Sequence, residues 1–232
     1  MPMDDAAIEI VPTCVPTEAA DVTRGAHAIR AFAHAIHIDV VDGLFAPAYT
    51  WPYSEKGVFG AFDLSGAGEL LKEVHLMVQE PREIGIAFAK AGASRIIGHV
   101  EAFSSEDEAH STLAEWKKSG ASEVGLGILM GTPFEVLEHH LLIVDVVHMM
   151  SISSIGTQGI PYNPAAPAHI AEFHKKHPEV LISVDGGVSA SNIADLVRAG
   201  VRRFGVGSAI AKARDPEGAY RELKAAAEDA LQ

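Results

Sequence analysis

The chain is predicted to fold as a single (β/α)8 TIM barrel, an α/β architecture, on three observations. Short β-branched apolar segments alternate eight times with longer, helix-like stretches. The strand segments are near-continuous apolar runs, the pattern of parallel strands covered on both faces. Ionisable and glycine-rich residues gather where these runs end. An open doubly wound sheet would share the alternation, but it gives sites on the second, third and seventh strands no reason to converge. A closed barrel gathers all strand C-termini around one mouth.

Taken in order, the first strand is expected near 8–13 and is followed by a helix near 17–33. The second strand, 35–41, lies in AIHIDVVDG, where Asp42-Gly43 makes a turn, and a short, weak helix is expected near 66–71. The third strand, 73–78, leads into a helix at 81–91 stopped by Gly92, and the fourth, 95–100, into a helix at 105–119. After the fifth strand, 124–129, Thr132-Pro-Phe-Glu135 has the spacing of a capping box with proline at the first helical position, which predicts a helix over 133–140. The sixth strand, 144–150, precedes a helix near 164–176. The seventh, 180–185, precedes a helix near 190–199 opened by Ser189 or Ser191 and stopped by Gly200. The eighth, 203–207, precedes a helix over 216–230, where Asp215-Pro216-Glu217 supplies a cap, a proline and an acid in the order a helix start prefers.

Residues 1–232 are expected to form one domain, because a chain that is 48% hydrophobic can bury one substantial core and contains no linker or low-complexity segment. Eighteen Lys plus Arg against 31 Asp plus Glu leave a net charge of -13, which repels nucleic acid and anionic membrane and favours a small-molecule partner. An anionic ligand would therefore need local positive potential from backbone N–H groups, helix N-termini or a metal. The single cysteine, Cys14, excludes an internal disulfide and fits a reducing compartment. The opening MPMDDAAIEI has no basic segment before an apolar one, and the longest apolar run, around 141–150, carries Asp145 and His148. A soluble, cytoplasmic protein is expected, with homo-oligomerisation left open.

His37, Asp39, His75 and Asp185 fall at the ends of three predicted strands and make a two-histidine, two-carboxylate set suited to one divalent metal. His37 and Asp39 are two apart on one strand, so both leave the same face and can reach one ion. The set is compatible with zinc, manganese, iron or cobalt and does not choose among them. Singly, each has a plainer reading: a satisfied core histidine at 37 or 75, a surface acid at 39, a turn residue at 185. Gly186-Gly187 after the seventh strand, with Gly205, Gly207 and Ser208 after the eighth, occupy the positions where barrels hold phosphate on backbone amides, so a phosphorylated substrate is implied. Gly156, after the sixth strand, is either a third side of that cradle or part of an ordinary loop. His139, His140, His169, His174 and His177 are expected on or beside solvated helix faces, and His99 and His148, near strand ends, either line the mouth or, the plainer reading, make structural hydrogen bonds.

These segments resemble the ribulose-phosphate 3-epimerase family. HIDVVDGLFAP is similar to its second-strand motif, HLMVQEP to its third, HVEA to the end of its fourth, and VDGGVSASNIADLVRAG with VGSAI to its phosphate-binding end. The resemblance runs from about Ile10 to Leu223. It implies an isomerase acting on carbohydrates in pentose phosphate metabolism, with His37, Asp39, His75 and Asp185 as metal ligands. It also implies Asp39 and Asp185 as acid and base on opposite faces of a phosphorylated ketose, and Thr13, Met77 and Met150 as pocket residues. SSIGTQG lacks a proline and a glycine of the family's sixth loop, Leu129-Met130 stands where Asn-Pro is common, and Val41, Leu44 and Ala48 replace other usual residues. These departures touch the substrate side, which keeps allulose 6-phosphate in view beside ribulose 5-phosphate. Decarboxylases and aldol-type synthases on similar barrels use a lysine in a DxKxxD motif that HIDVVD lacks. A non-catalytic sugar-phosphate or metal binder is the third reading.

Overall fold

The computed structural model describes residues 7–156 and 160–232; the acidic opening and the end of SSIGTQG lie outside the described residues. In chain order the strands are β1 (Glu9–Cys14), β2 (Ala35–Val41), β3 (Tyr53–Glu55), β4 (Val58–Phe59), β5 (Leu71–Met77), β6 (Arg95–His99), β7 (Glu123–Ile128), β8 (Val146–Met150), β9 (Ile182–Asp185) and β10 (Val201–Val206). Eight of them form a closed parallel barrel in the order β1-β10-β9-β8-β7-β6-β5-β2, with β2 pairing back onto β1. The helices are α1 (Ala19–Ile29), α2 (Pro81–Lys90), α3 (Glu106–Lys118), α4 (Ala166–Lys176), α5 (Ile193–Arg198), α6 (Ser208–Ala211) and α7 (Pro216–Asp229).

Local chemistry accounts for most boundaries. Ser105 caps α3 by accepting from the Glu108 N–H, with three acids in the first turn and Lys117 and Lys118 in the last, which matches the helix dipole at both ends. Asp215 caps α7 and Pro216 opens it, as expected. Gly92 and Gly200 end α2 and α5 at φ 95° and 108°, a region that disfavours any residue with a Cβ. Three expectations are corrected. Residues 133–140 form a 3-10 helix over Phe134–His140 instead of a capped α-helix, because the Thr132 hydroxyl donates to Glu101 (2.5 Å) and so does not cap. The stretch at 66–71 holds a 3-10 turn over Ser65–Ala67 and then enters β5. The residue before α5 is Asn192, whose side chain accepts from the Ser189 N–H, so neither serine opens that helix.

Alternation along the strands divides the core in two. Outward residues such as Ile36, Ile38, Val40, Val74 and Leu76 join the large cluster between sheet and helices. Trp116 of α3 is fully buried there, donates to the Arg82 carbonyl (3.0 Å) and fits only because Gly85 and Gly98 are bare; a Cβ on either would lie within 2.7 Å of its ring. Burying such a side chain contributes roughly 3 kcal/mol. Inward residues line the lumen, and at its mouth Val41, Ala46, Met77, Met150 and Ile155 form a second, small apolar cluster.

Candidate active site

In the register of β2 against β5, Asp39 is directly opposite His75, which places two of the candidate ligand side chains on one inner face. His37, two residues before Asp39, points into the same lumen. His37 Nε2 lies 3.1 Å from Asp39 Oδ1 and His75 Nδ1 lies 3.0 Å from the same oxygen, so one carboxylate oxygen binds both rings. His37 Nδ1 donates to Glu73 Oε1 at 2.7 Å, and His75 Nε2 meets His99 Nε2 at 2.9 Å. The His99 ring has room because β7 carries Gly127 opposite it, where a Cβ would come within 3.2 Å. Asp185, at the end of β9, is held by Ser151, whose N–H and hydroxyl donate to the Asp185 carbonyl at 2.8 and 3.0 Å. Gly205 leaves space beside the Asp185 carboxyl, 3.1 Å from where its Cβ would be.

The two carboxyl groups are driven apart electrostatically. Burial opposes charge on Asp39, but His37 and His75 outweigh it and hold Asp39 well below the usual carboxylate range. Asp185 is pushed up to about 7, first by burial and then by the negative charge of Asp39. Near neutrality one acid is ionised and the other carries a proton over part of the range. His37, despite burial, is raised well above its ordinary value by Asp39 and Glu73, whereas burial takes His75 down to about 4.

One cavity at the mouth collects Thr13, Asp39, Met77, Met150, Gly156, Asp185, Gly186, Gly187, Gly207 and Ser208, all of them residues singled out from sequence. His37 and His75 lie fully buried below it. Gly186 and Gly187 take φ 111° and 70°, turning the chain after β9 where a side chain would be strained. Lys212, just past α6, lines the same cavity and brings the positive charge that sequence reasoning did not find.

Sequence reasoning also missed a charged floor. At the other end of the lumen Arg95 contacts Glu123 (2.9 Å), Glu9 (2.7 Å) and Glu73 (3.5 Å), and Arg203 contacts Glu9 (2.7 Å), Glu123 (2.9 Å) and Glu73 (3.4 Å). Parity was the available signal, since Glu73 is two residues before His75. Two expectations for the histidines also change. His140 is buried, with its ring edge-on to His110, and His169 packs on Phe134 at 4.0 Å between ring centroids. His148 makes the structural hydrogen bond expected of it, its Nδ1 lying 3.0 Å from Ser183 Oγ. His37, His75, His148 and Asp185 each bring one ligand-type atom within 4.8 Å of the others.

Residues 9–211 match the ribulose-phosphate 3 epimerase family. The chain is 33% identical over 199 residues to the ribulose-phosphate 3-epimerase of Aquifex aeolicus, covering 84% of this chain and 86% of that one. It is 32% identical to the ribulose-phosphate 3-epimerase of Bacillus subtilis, covering 89% and 90%. Among solved structures, 3-hexulose-6-phosphate synthase from Salmonella typhimurium shares the fold, with a TM-score of 0.67 at 15% identity over 96% of this chain and all of that one. This protein is a member of the ribulose-phosphate 3-epimerase family.

Proposed function

We propose that this protein is a metal-dependent ketose-phosphate 3-epimerase that interconverts D-ribulose 5-phosphate and D-xylulose 5-phosphate, working as one domain in the cytoplasm. The observation that carries the reading is the pair Asp39 and Asp185, buried in one cavity with their proton affinities driven apart. Inverting a carbon beside a ketone needs one group to take the C3 proton and another to return a proton from the opposite face. An ionised carboxylate suits the first task and a protonated carboxyl the second, and reversal exchanges the roles.

The donor set fits one divalent ion, zinc, manganese, iron or cobalt, held by His37, Asp39, His75 and Asp185. Glu73 fixes His37 by accepting its Nδ1–H, which leaves Nε2 facing Asp39 and the mouth. When bound, the ion supplies positive charge that stabilises the enediolate oxygens. Thr13, Met77 and Met150 shape the sugar site. Gly156, Gly186, Gly187, Gly207 and Ser208 form the phosphate end, and Lys212 adds charge there in a protein whose overall field is negative.

The test is proton NMR in deuterium oxide on metal-reconstituted protein, offered ribulose 5-phosphate and then allulose 6-phosphate. Deuterium entering C3 of ribulose 5-phosphate with formation of the epimer is expected. Faster exchange with the hexose phosphate would reassign the substrate. Absence of exchange with either, in protein that holds metal, would sink the enzyme reading in favour of a binding role.

A further inference from the structure

His148 is a buried lumen residue that the proposed chemistry leaves unused. It is on β8, two residues before Met150, and is fully buried. Its Nδ1 is engaged by Ser183, while its Nε2 is buried with no hydrogen-bond partner. A buried polar atom left unsatisfied is destabilising, which calls for a compensating contact. The ring stacks on His37 at 5.6 Å and meets His75 edge-on at 4.7 Å, so it is in the same chamber as the proposed ligands.

The distances favour coordination. Donors on opposite sides of one ion with bonds near 2.1 Å are about 4.2 Å apart. The nitrogen or oxygen donors of His37, His75, His148 and Asp185 already lie within 4.8 Å of one another, so even the widest pair is within about half an ångström of the span of a single ion.

We propose that His148 Nε2 is a further donor to the metal, joining His37, Asp39, His75 and Asp185 in a centre with three imidazoles. The inference rests on the metal reading above. Ser183 is then a positioning residue: by accepting the Nδ1–H it fixes the tautomer that leaves the Nε2 lone pair for the ion. Three imidazoles shift preference toward zinc, cobalt and iron(II), and away from magnesium, calcium and manganese, which favour oxygen donors.

Cobalt(II)-loaded protein examined by proton NMR in water gives a direct count, since each ligating imidazole contributes one hyperfine-shifted, exchangeable N–H signal. Three signals are expected. Two signals in a protein that exchanges deuterium at substrate C3 would overturn this inference and leave the epimerase reading standing. Failure to retain cobalt would overturn both, whereas three signals without C3 exchange would support the donor and sink the epimerase. Competition with a chelator gives a second measure. His148→Leu is expected to weaken zinc binding at least tenfold while manganese affinity moves less than threefold, with folding checked by circular dichroism. Unchanged zinc affinity in the folded variant would overturn the assignment, and the wild-type signal count decides the matter if the variant does not fold.

Discussion

The two ends of the barrel lumen are both lined with buried charge, yet they are built on opposite rules. At the floor, three carboxylates are interleaved with two guanidiniums, so that Glu9, Glu73 and Glu123 each touch both Arg95 and Arg203. At the mouth, Asp185 has no salt-bridge partner among the described residues, and its neighbour Asp39 repels it. Saturated pairing makes the floor a structural plug, whereas incomplete pairing leaves the mouth able to bind and to exchange a proton. His37 belongs to both regions, with Nδ1 on Glu73 of the floor and Nε2 on Asp39 of the mouth.

The sharpest way to break the comparison is Asp185→Asn. Turnover is expected to fall by about 10³-fold or more, the scale of a lost acid–base group, while the thermal midpoint of metal-free protein holds or rises because an unpaired buried acid is gone. A matching loss of stability, read in a thermal melt beside the deuterium-exchange assay, would place Asp185 among the structural charges. Glu73→Ala attacks the other end. It strips Arg95, Arg203 and His37 of a shared partner and is expected to cost about 3–5 kcal/mol in denaturant unfolding. A loss well below 1 kcal/mol would show that the floor does not need its central acid.

Acid titration sharpens the contrast further. Burial disfavours the Glu73 charge, but His37, Arg203 and Arg95 hold its pKa down to about 2, against an ordinary 4.5. A depressed acid stabilises the fold above its unfolded value and loses that contribution as pH falls. Stability on the order of 3 kcal/mol should therefore disappear between about pH 4.5 and 2, and Glu73→Ala should lack that slope. The smallest effect is expected at the rim: Lys212→Ala should raise KM for the phosphorylated ketose about two- to fivefold, with kcat nearly unchanged and the difference fading at high salt. An unchanged KM would leave phosphate recognition to the backbone loops.

Much of the mouth was legible in the sequence because its residues break local patterns. His37, Asp39 and His75 interrupt apolar runs, and Gly186-Gly187 interrupts a strand-to-helix passage; each has a plain reading alone, and the set at neighbouring strand ends made the site visible. The floor was illegible for the opposite reason. Glu9, Arg95 and Glu123 begin β1, β6 and β7, and Arg203 stood at the expected start of the eighth strand, where a charge reads as a solvated end; only closure of the barrel brings them together. His148 lay within a visible apolar run, but its place beside His37 depends on pairing across the lumen. Among the elements, the eight barrel strands were read well because burial on both faces leaves a strong composition signal, whereas the short exposed pair β3 and β4 was not foreseen. Residues 133–140 were misread because the side chain expected to cap the helix had a longer-range partner in Glu101, which local spacing does not reveal.

The seat of Trp116 gives the molecule a built-in optical probe. The indole is sealed against α2 and β6, outside the lining of the cavity at the mouth, and among the described residues its polar contact is the Arg82 carbonyl. Its emission should therefore follow the docking of the helical coat onto the barrel and remain indifferent to ligand. Trp51, half-buried beside Phe62 in the segment after β2, supplies the second colour of that readout.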